Sequence, residues 1–149
     1  RPKTILPVRS FAMRTMLVAS AVLALTGCAG LPPADPNQAW VDLAPGADDT
    51  LHALEVDERA WADTRYFEVA PGSHELTVRY LFPVAPSNIG PVDEPLWRDC
   101  QLNVRFKDFN AGQRYELQAG SIGFRPWAKL YDAQRKLVGT GLPAGCQRT

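Results

Sequence analysis

CQLNVRFK, residues 100–107, alternates strictly between apolar and polar side chains. Every even position, from Cys100 to Phe106, is apolar, and every odd position is polar. Because successive side chains of a β-strand point to opposite faces, this period of two predicts a strand with one face in the core. The same parity turns the Cys100 side chain inward.

The same period recurs along most of the chain and predicts an all-β fold. Turn sequences such as APGS at 70–73 and NAGQ at 110–113 separate the alternating runs. About seven short strands favour an antiparallel, immunoglobulin-like β-sandwich, and a small closed β-barrel is the alternative. The predicted strands are 51–57, 66–69, 74–82, 100–107, 115–119, 127–131 and 136–138, and residues 40–43 could open the sheet.

The N-terminal sequence has the organisation of a secretory signal. Arg14 precedes the apolar run MLVASAVLAL, residues 16–25, which is about half the length that a bilayer-spanning helix needs. The run ends in LTGC, residues 25–28, which resembles the lipobox of bacterial lipoproteins. That resemblance implies cleavage before Cys28 and a diacylglyceryl group on its thiol.

This signal predicts the organisation of the chain. Residues 1–12 carry two prolines and no methionine, so translation is expected to start at Met13 or Met16. Residues 28–38 carry three prolines and predict a semi-extended tether. The predicted segments are a signal peptide at 1–27, a lipidated cysteine and tether at 28–38, and a β-sandwich domain at 39–149.

Cleavage changes the charge of the protein. The whole chain has 16 basic and 16 acidic residues, and residues 1–27 include four basic and no acidic ones, so the mature chain has a net charge of −4. It has neither the basic stripe that nucleic acid requires nor a polybasic run for anionic lipid. We therefore predict no nucleic-acid partner and a membrane contact through the lipid alone. Ala29, in place of an aspartate after Cys28, favours an outer-membrane anchor that faces the periplasm.

The three cysteines divide between two roles. Once Cys28 carries the lipid, Cys100 and Cys146 remain, and in an oxidising periplasm they predict a disulfide. Two thiols without a nearby histidine lack the ligands for a zinc site. The bridge would hold the C-terminal tail on the strand that contains Cys100.

Residues 82–99 interrupt the regular pattern. They contain four prolines and no period, and they include Trp97. Long loops without structure are uncommon in compact domains and are often functional. Two interpretations stay open, a proline-stiffened crossover between the sheets and a partner-binding loop.

Part of the chain resembles a PEGA-type β module. Within residues 51–81, Val56-Asp57, Pro71-Gly72 and His74 match the trace of those modules, whereas Glu58 replaces their glycine. The resemblance implies a prealbumin-like β-sandwich with a structural or binding role and no catalytic residues. The second half of the chain resembles small proteobacterial lipoproteins.

No catalytic constellation emerges from the sequence. Ser73 and His74 are adjacent on a predicted strand, so their side chains point to opposite faces and cannot form a nucleophile–base pair. His74 is expected to cap the core with its ring bonded to the turn backbone. We predict a protein that is not an enzyme, with no cofactor and no metal site.

Aromatic residues are the candidates for partner binding. They are Trp97, Trp127 and Tyr131. In one register Ala128 and Leu130 face the core and leave Trp127 and Tyr131 outside, and in the other the two aromatics are buried. The sequence thus predicts a non-enzymatic, lipid-anchored protein that binds or scaffolds an envelope protein or glycan. The alternative is a periplasmic inhibitor of a lytic enzyme or protease that acts through residues 82–99.

Overall fold

The structure is a computed structural model that describes residues 30–85 and 96–148. The chain divides into two compact units, Arg1–Pro33 and Ala34–Thr149. All the strands belong to the second unit.

Nine β-strands and no helix make up the regular structure of the described residues, which confirms the all-β fold. Each of the seven predicted strands, and the possible opening strand at 40–43, has a counterpart in the structure. The sheet gains a two-residue strand, and its C-terminal strand is much longer than predicted. The strands are β1 (Ala39–Ala44), β2 (Thr50–Val56), β3 (Arg59–Ala60), β4 (Tyr66–Val69), β5 (Gly72–Val84), β6 (Leu96–Phe109), β7 (Arg114–Ile122), β8 (Arg125–Tyr131) and β9 (Leu137–Arg148).

The strands form one mixed sheet in the order β3-β2-β5-β6-β9-β8-β7-β1-β4. Neighbours are antiparallel except β1 and β7, which pair in parallel from Trp40 opposite Arg114 to Ala44 opposite Gln118. β1 lies between β7 and β4, and the next strand along the chain, β2, lies in the other half of the sheet.

The sheet bends at β9, where Gly139 and Gly141 occupy inward positions. A Cβ atom at Gly141 would lie 2.8 Å from the Ala128 Cβ and 3.0 Å from the Val104 Cγ2, although these residues belong to the strands on either side. Side chains from β6 and β8 therefore converge over β9. Glycine in a strand often marks such a bend. Here it lets the two halves of the sheet face each other across one core.

A single cluster of buried side chains fills the space between the halves. Its members come from the inward positions of β1, β2 and β4 to β8, which agrees with the predicted alternation. The largest fully buried side chains are Tyr80, Phe67, Phe82, Phe109, Leu76, Leu102, Leu117 and Leu130.

The order of strands is open between β3 and β4, so the sheet does not close into a barrel. Hydrogen bonds nevertheless connect these two edges. The Ala53 N–H donates to the Thr64 carbonyl at 2.9 Å, and the Trp61 Nε1–H donates to the Tyr66 carbonyl at 2.7 Å. Edge strands left uncovered promote aggregation, and these bonds protect both of them.

The two ends of the domain differ in what they carry. The base is the end where the unit begins at Ala34, and there the Asp35 N–H donates to the Glu68 Oε2 at 2.9 Å and the Gly112 N–H donates to the Gln38 carbonyl. The tip is the opposite end, where β5 finishes and β6 begins. The 13 residues of β5 run from base to tip, about 40 Å.

The disulfide joins the two strands that lead to the tip. Cys100 on β6 pairs directly across from Cys146 on β9, and their sulfur atoms lie 2.11 Å apart. Cys100 is fully buried, as its parity predicted. The bridge fastens the C-terminal strand to the centre of the sheet.

Candidate functional site

The ends of β5 and β6 form a two-stranded arm at the tip. The pairing of β2 with β5 begins at Leu81, and the pairing of β9 with β6 ends at Arg98. Among the described residues, Phe82 therefore pairs only with Arg98, and Pro83 and Val84 pair only with Trp97 and Leu96. We call residues 82–84 and 96–97 the arm. Residues 82–84 and 96–99 of the predicted 82–99 loop are thus β-strand, and β5 and β6 are neighbours in one sheet, which corrects the prediction of a crossover between two sheets. Residues 86–95 lie outside the described residues.

Pro83 explains why the arm was not recognised as a strand. Pro83 breaks the alternation, and proline is tolerated in strands mainly at edges, where one neighbour is missing. Phe82 and Val84 are nevertheless buried on the inner side. Pro83 and Trp97 lie opposite each other on the outer side. Trp97 is 40% exposed there, which keeps it a candidate contact residue.

A groove lies next to the arm, on the outer face of β5 and β6. Its walls include Leu54, Arg79, Asp99, Gln101 and the end of β9 from Ala144 to Gln147. Leu54 reaches this groove where the register of β2 shifts between Ala53 and Glu55, at a β-bulge. The groove thus runs beside the disulfide towards the tip.

An ion pair forms the floor of the groove. The guanidinium of Arg79 holds both carboxylate oxygens of Asp99, with Nε 3.0 Å from Oδ1 and Nη2 2.5 Å from Oδ2. Asp99 is only 8% exposed. The hydrogen bonds and charge of Arg79 outweigh the effect of burial and keep the pKa of the Asp99 carboxyl below its usual value. The groove therefore presents a paired charge and two glutamines, Gln101 and Gln147, to any ligand.

The second candidate surface is the outer face of β7, β8 and β9. Ala128 and Leu130 are fully buried, so Trp127, Lys129 and Tyr131 lie on the outside. This settles the register that the sequence left open. The Lys129 Nζ lies 5.2 Å from the centre of the Trp127 ring, a cation–π distance.

Three exposed aliphatic residues extend this surface. Ile122 at the end of β7 is 76% exposed, Leu142 on β9 is 71% exposed and Leu137 at the start of β9 is 47% exposed. Leu142 follows Gly141, the partner of Ala128, and so lies beside Trp127. We call the set Ile122, Trp127, Tyr131, Leu137 and Leu142 the apolar face. Sequence reasoning missed its aliphatic members because the glycines of β9 and β7 obscure the alternation there.

The structure separates the aromatic candidates into two places. Trp97 is next to Arg98, which pairs with Arg148 on β9. Trp127 is next to Ala128, which pairs with Gly141 on the same strand. These two points on β9 are seven residues apart, roughly 20 Å. Trp127 and Tyr131 share one strand face, and Trp97 does not belong to their surface.

His74 is held at the base rather than in a reactive arrangement. Its Nδ1 lies 2.6 Å from the Asp57 Oδ2, and its Nε2 lies 2.7 Å from the Ala70 carbonyl oxygen. The Glu75 N–H donates to the second Asp57 oxygen at 2.8 Å. Both ring nitrogens are therefore engaged, as predicted for a histidine bonded to the turn, and neither faces Ser73.

The carboxylate of Asp57 is stabilised by these contacts. Burial raises the pKa of Asp57, but the hydrogen bonds from His74 and from the Glu75 backbone lower it by more, so that the pKa lies below its usual value. Asp57 and His74 thus fasten the β2–β3 turn to β5. In the described part of the chain, no three of the His, Cys, Asp and Glu side chains are grouped so as to hold a metal ion.

The predicted lipidation site, Cys28, lies outside the described residues. Among the described residues, no helix has the length and hydrophobicity to cross a bilayer. Comparison with protein-family models, with curated proteins and with solved structures finds no match to this chain.

Proposed function

We propose that this protein is a lipid-anchored component of a bacterial envelope that binds another envelope component and performs no catalysis of its own. The lipobox at 25–28 supports the anchor, and the Cys100–Cys146 disulfide suits an oxidising compartment. The observation that carries the binding role is the arm, which presents Trp97 beyond the body of the sheet.

The direction of the chain supports this assignment. Cys28 precedes Ala34, the start of the domain, by six residues, which span about 20 Å at most. A lipid on Cys28 therefore keeps the base close to the membrane. The arm is at the opposite end, about 40 Å further along β5. Trp97 is then directed into the periplasm, where a partner can reach it.

The proposed contact surface combines an aromatic anchor with a polar floor. Exposed tryptophans are common energetic centres of protein interfaces, and a rim of polar groups supplies orientation. Trp97 and Pro83 supply the aromatic anchor, and the Arg79–Asp99 pair with Gln101 supplies the polar groups. A protein or a glycan strand of the envelope fits this combination.

Photocrosslinking tests the proposal. A photoreactive amino acid at position 97 of the lipidated protein, in intact envelopes, should capture one dominant partner. Lys107 provides the matched control position, because it is exposed on the same strand and the same parity but near the base. Replacement of residues 86–95 by a Gly/Ser linker should abolish the adduct. An absence of any adduct at 97, or equal labelling from 97 and 107, would contradict a binding site at the arm.

The same arm supports the inhibitor alternative. Residues 86–95 contain three prolines, and proline restricts φ, which reduces the entropy that a chain loses when it inserts into a cleft. If the partner captured at position 97 is a lytic enzyme or a protease, the purified protein should inhibit it. Loss of inhibition on linker replacement would assign the effect to residues 86–95.

A further inference from the structure

The apolar face holds most of the exposed large hydrophobic residues of the described chain. Of the five large hydrophobic residues that are clearly exposed, three belong to it, Ile122, Leu137 and Leu142. Trp127 and Tyr131 lie between them on β8, about 13 Å apart along the strand. Contiguous apolar patches on a folded protein mark sites of association.

Basic residues surround this patch. Residues 122–142 contain Arg125, Lys129, Arg135 and Lys136 and one acidic residue, Asp132, a charge of +3 in a mature chain of −4. Arg125 shares the outward parity of Trp127 and Lys129, and it lies opposite Ile122. Arg135 and Lys136 lie in the turn after β8, at the base. The sequence spreads these charges over twelve residues, and the β8–β9 hairpin brings them to one surface.

These charges differ in their partners from four arginines elsewhere in the domain. Arg65, Arg79, Arg105 and Arg114 each form an ion pair with a carboxylate. Among the described residues, none of the four basic residues around the apolar face does so. Asp132 instead accepts the backbone N–H groups of its own turn. Glu116 on β7 lies opposite Tyr131 and is the nearest acidic residue across the strands, so the face keeps a net charge of +2.

Aliphatic and aromatic side chains among lysines and arginines are the composition that binds the interface of an anionic bilayer. Tryptophan and tyrosine favour the headgroup region, the aliphatic groups enter the acyl boundary, and the basic groups attract anionic lipid. We propose that the apolar face rests on the anionic bilayer in which Cys28 is anchored. The proposal adds a second membrane contact to the lipid, and it rests on the anchor of the proposed function.

The contact would orient the domain. The apolar face belongs to β7–β9, whereas the Arg79–Asp99 groove extends over the outer side of β5 and β6 to the end of β9, from Ala144 onwards. With the lipid at the base and this face on the bilayer, the domain would tilt towards β7–β9. The outer side of β5 and β6 would then remain away from the lipid.

Site-directed spin labelling tests this contact in the lipidated protein. Nitroxide labels are attached to Leu142→Cys and, as a control, to Lys107→Cys, which is exposed on β6 and lies nearer the base. The protein is reconstituted in vesicles of phosphatidylethanolamine and phosphatidylglycerol. We expect the label at 142 to be accessible to oxygen and shielded from a water-soluble nickel complex, and the label at 107 to show the reverse. The pair Arg125→Glu and Lys129→Glu should return the label at 142 to water.

Three outcomes would overturn the proposal. They are equal exposure of both labels to the nickel complex, the same shielding in vesicles of phosphatidylcholine alone, and shielding of the label at 142 already in detergent, which would indicate a protein contact. Mass spectrometry of acylated Cys28 and crosslinking from position 97 are independent of these labels. Failure of the membrane contact is therefore distinguishable from failure of the anchor or of the arm.

Discussion

The indole ring of Trp127 lies directly on Gly120, its cross-strand partner on the outer face of the sheet. A Cβ atom at position 120 would come within 2.3 Å of the Trp127 Cζ2 and 2.6 Å of its Cε2. The glycine therefore provides the space in which the ring lies flat against the strand. Lys129 approaches the same ring, so the orientation of Trp127 is determined by its neighbours on two strands.

Gly120→Ala should destabilise the protein by about 1–3 kcal/mol, because the new methyl group must displace the indole. Urea unfolding measures the change. A double-mutant cycle with Trp127→Ala provides the control, since without the ring the methyl group meets no obstacle. If Gly120→Ala costs as much in the Trp127→Ala background as in the parent protein, the contact is not the cause.

The pairing of Cys100 with Cys146 closes a loop with a sequence separation of 46 residues. Replacement of both by alanine should lower the free energy of unfolding by about 4 kcal/mol, because the unfolded chain recovers the conformational freedom that the bridge removes. Denaturant titration of the oxidised parent protein and of the double variant measures this difference. Mass spectrometry of the non-reduced protein should find no free thiol at either position, and two free thiols would contradict the bridge.

The turn between β2 and β3 holds two non-glycine residues in left-handed backbone conformations, Asp57 at φ 52° and Glu58 at φ 67°. Two-residue hairpin turns of this kind favour glycine at the second position. Glu58→Gly should therefore stabilise the protein by about 1 kcal/mol in thermal or urea unfolding.

Asp57→Gly is the matched comparison at the neighbouring position. It relieves the same backbone conformation but removes the carboxylate that bonds His74 and the Glu75 N–H. We expect it to bring no gain in stability. Equal stabilisation by both variants would show that the contacts of Asp57 contribute nothing.

The ion pair in the groove makes the free energy of unfolding depend on pH in the acid range. The pKa of Asp99 is lowered in the folded protein, so the pair contributes stability above the ordinary carboxyl pKa near 4 and loses it as the pH falls through the lower, folded value. Asp99→Asn should cost about 1–2 kcal/mol at pH 7. It should also reduce the loss of stability between about pH 5 and pH 2. Urea unfolding at several pH values measures both effects, and an unchanged acid slope would exclude Asp99 as its source.

Regular alternation made most of the sheet predictable. In β5 and β6 the side chains of Leu76, Val78, Leu102 and Val104 all face the core, as their positions in the sequence require. Prediction failed in the strand segments where glycine or proline interrupts the alternation of apolar and polar side chains. β9 combines three glycines with a proline, and the arm includes Pro83, so neither shows a period of two.

The candidate surfaces were only partly predictable for the same reason. Trp97, Trp127 and Tyr131 were recognisable as residue types, but their exposure depends on which strands lie beside them. The groove of Arg79 and Asp99 gave no signal in the sequence, since its residues are distant in the chain. The exposure of Leu142 gave none either.

The amino-acid sequence by itself determined the all-β class, the inward side of each alternating strand and the burial of Cys100, because these depend on the two-residue period of an extended chain. Tertiary structure alone decided that β1 pairs in parallel with β7, that β9 bends the sheet, and that four scattered basic residues surround one apolar face. Those features arise from contacts between strands far apart in the chain, and no local pattern encodes them.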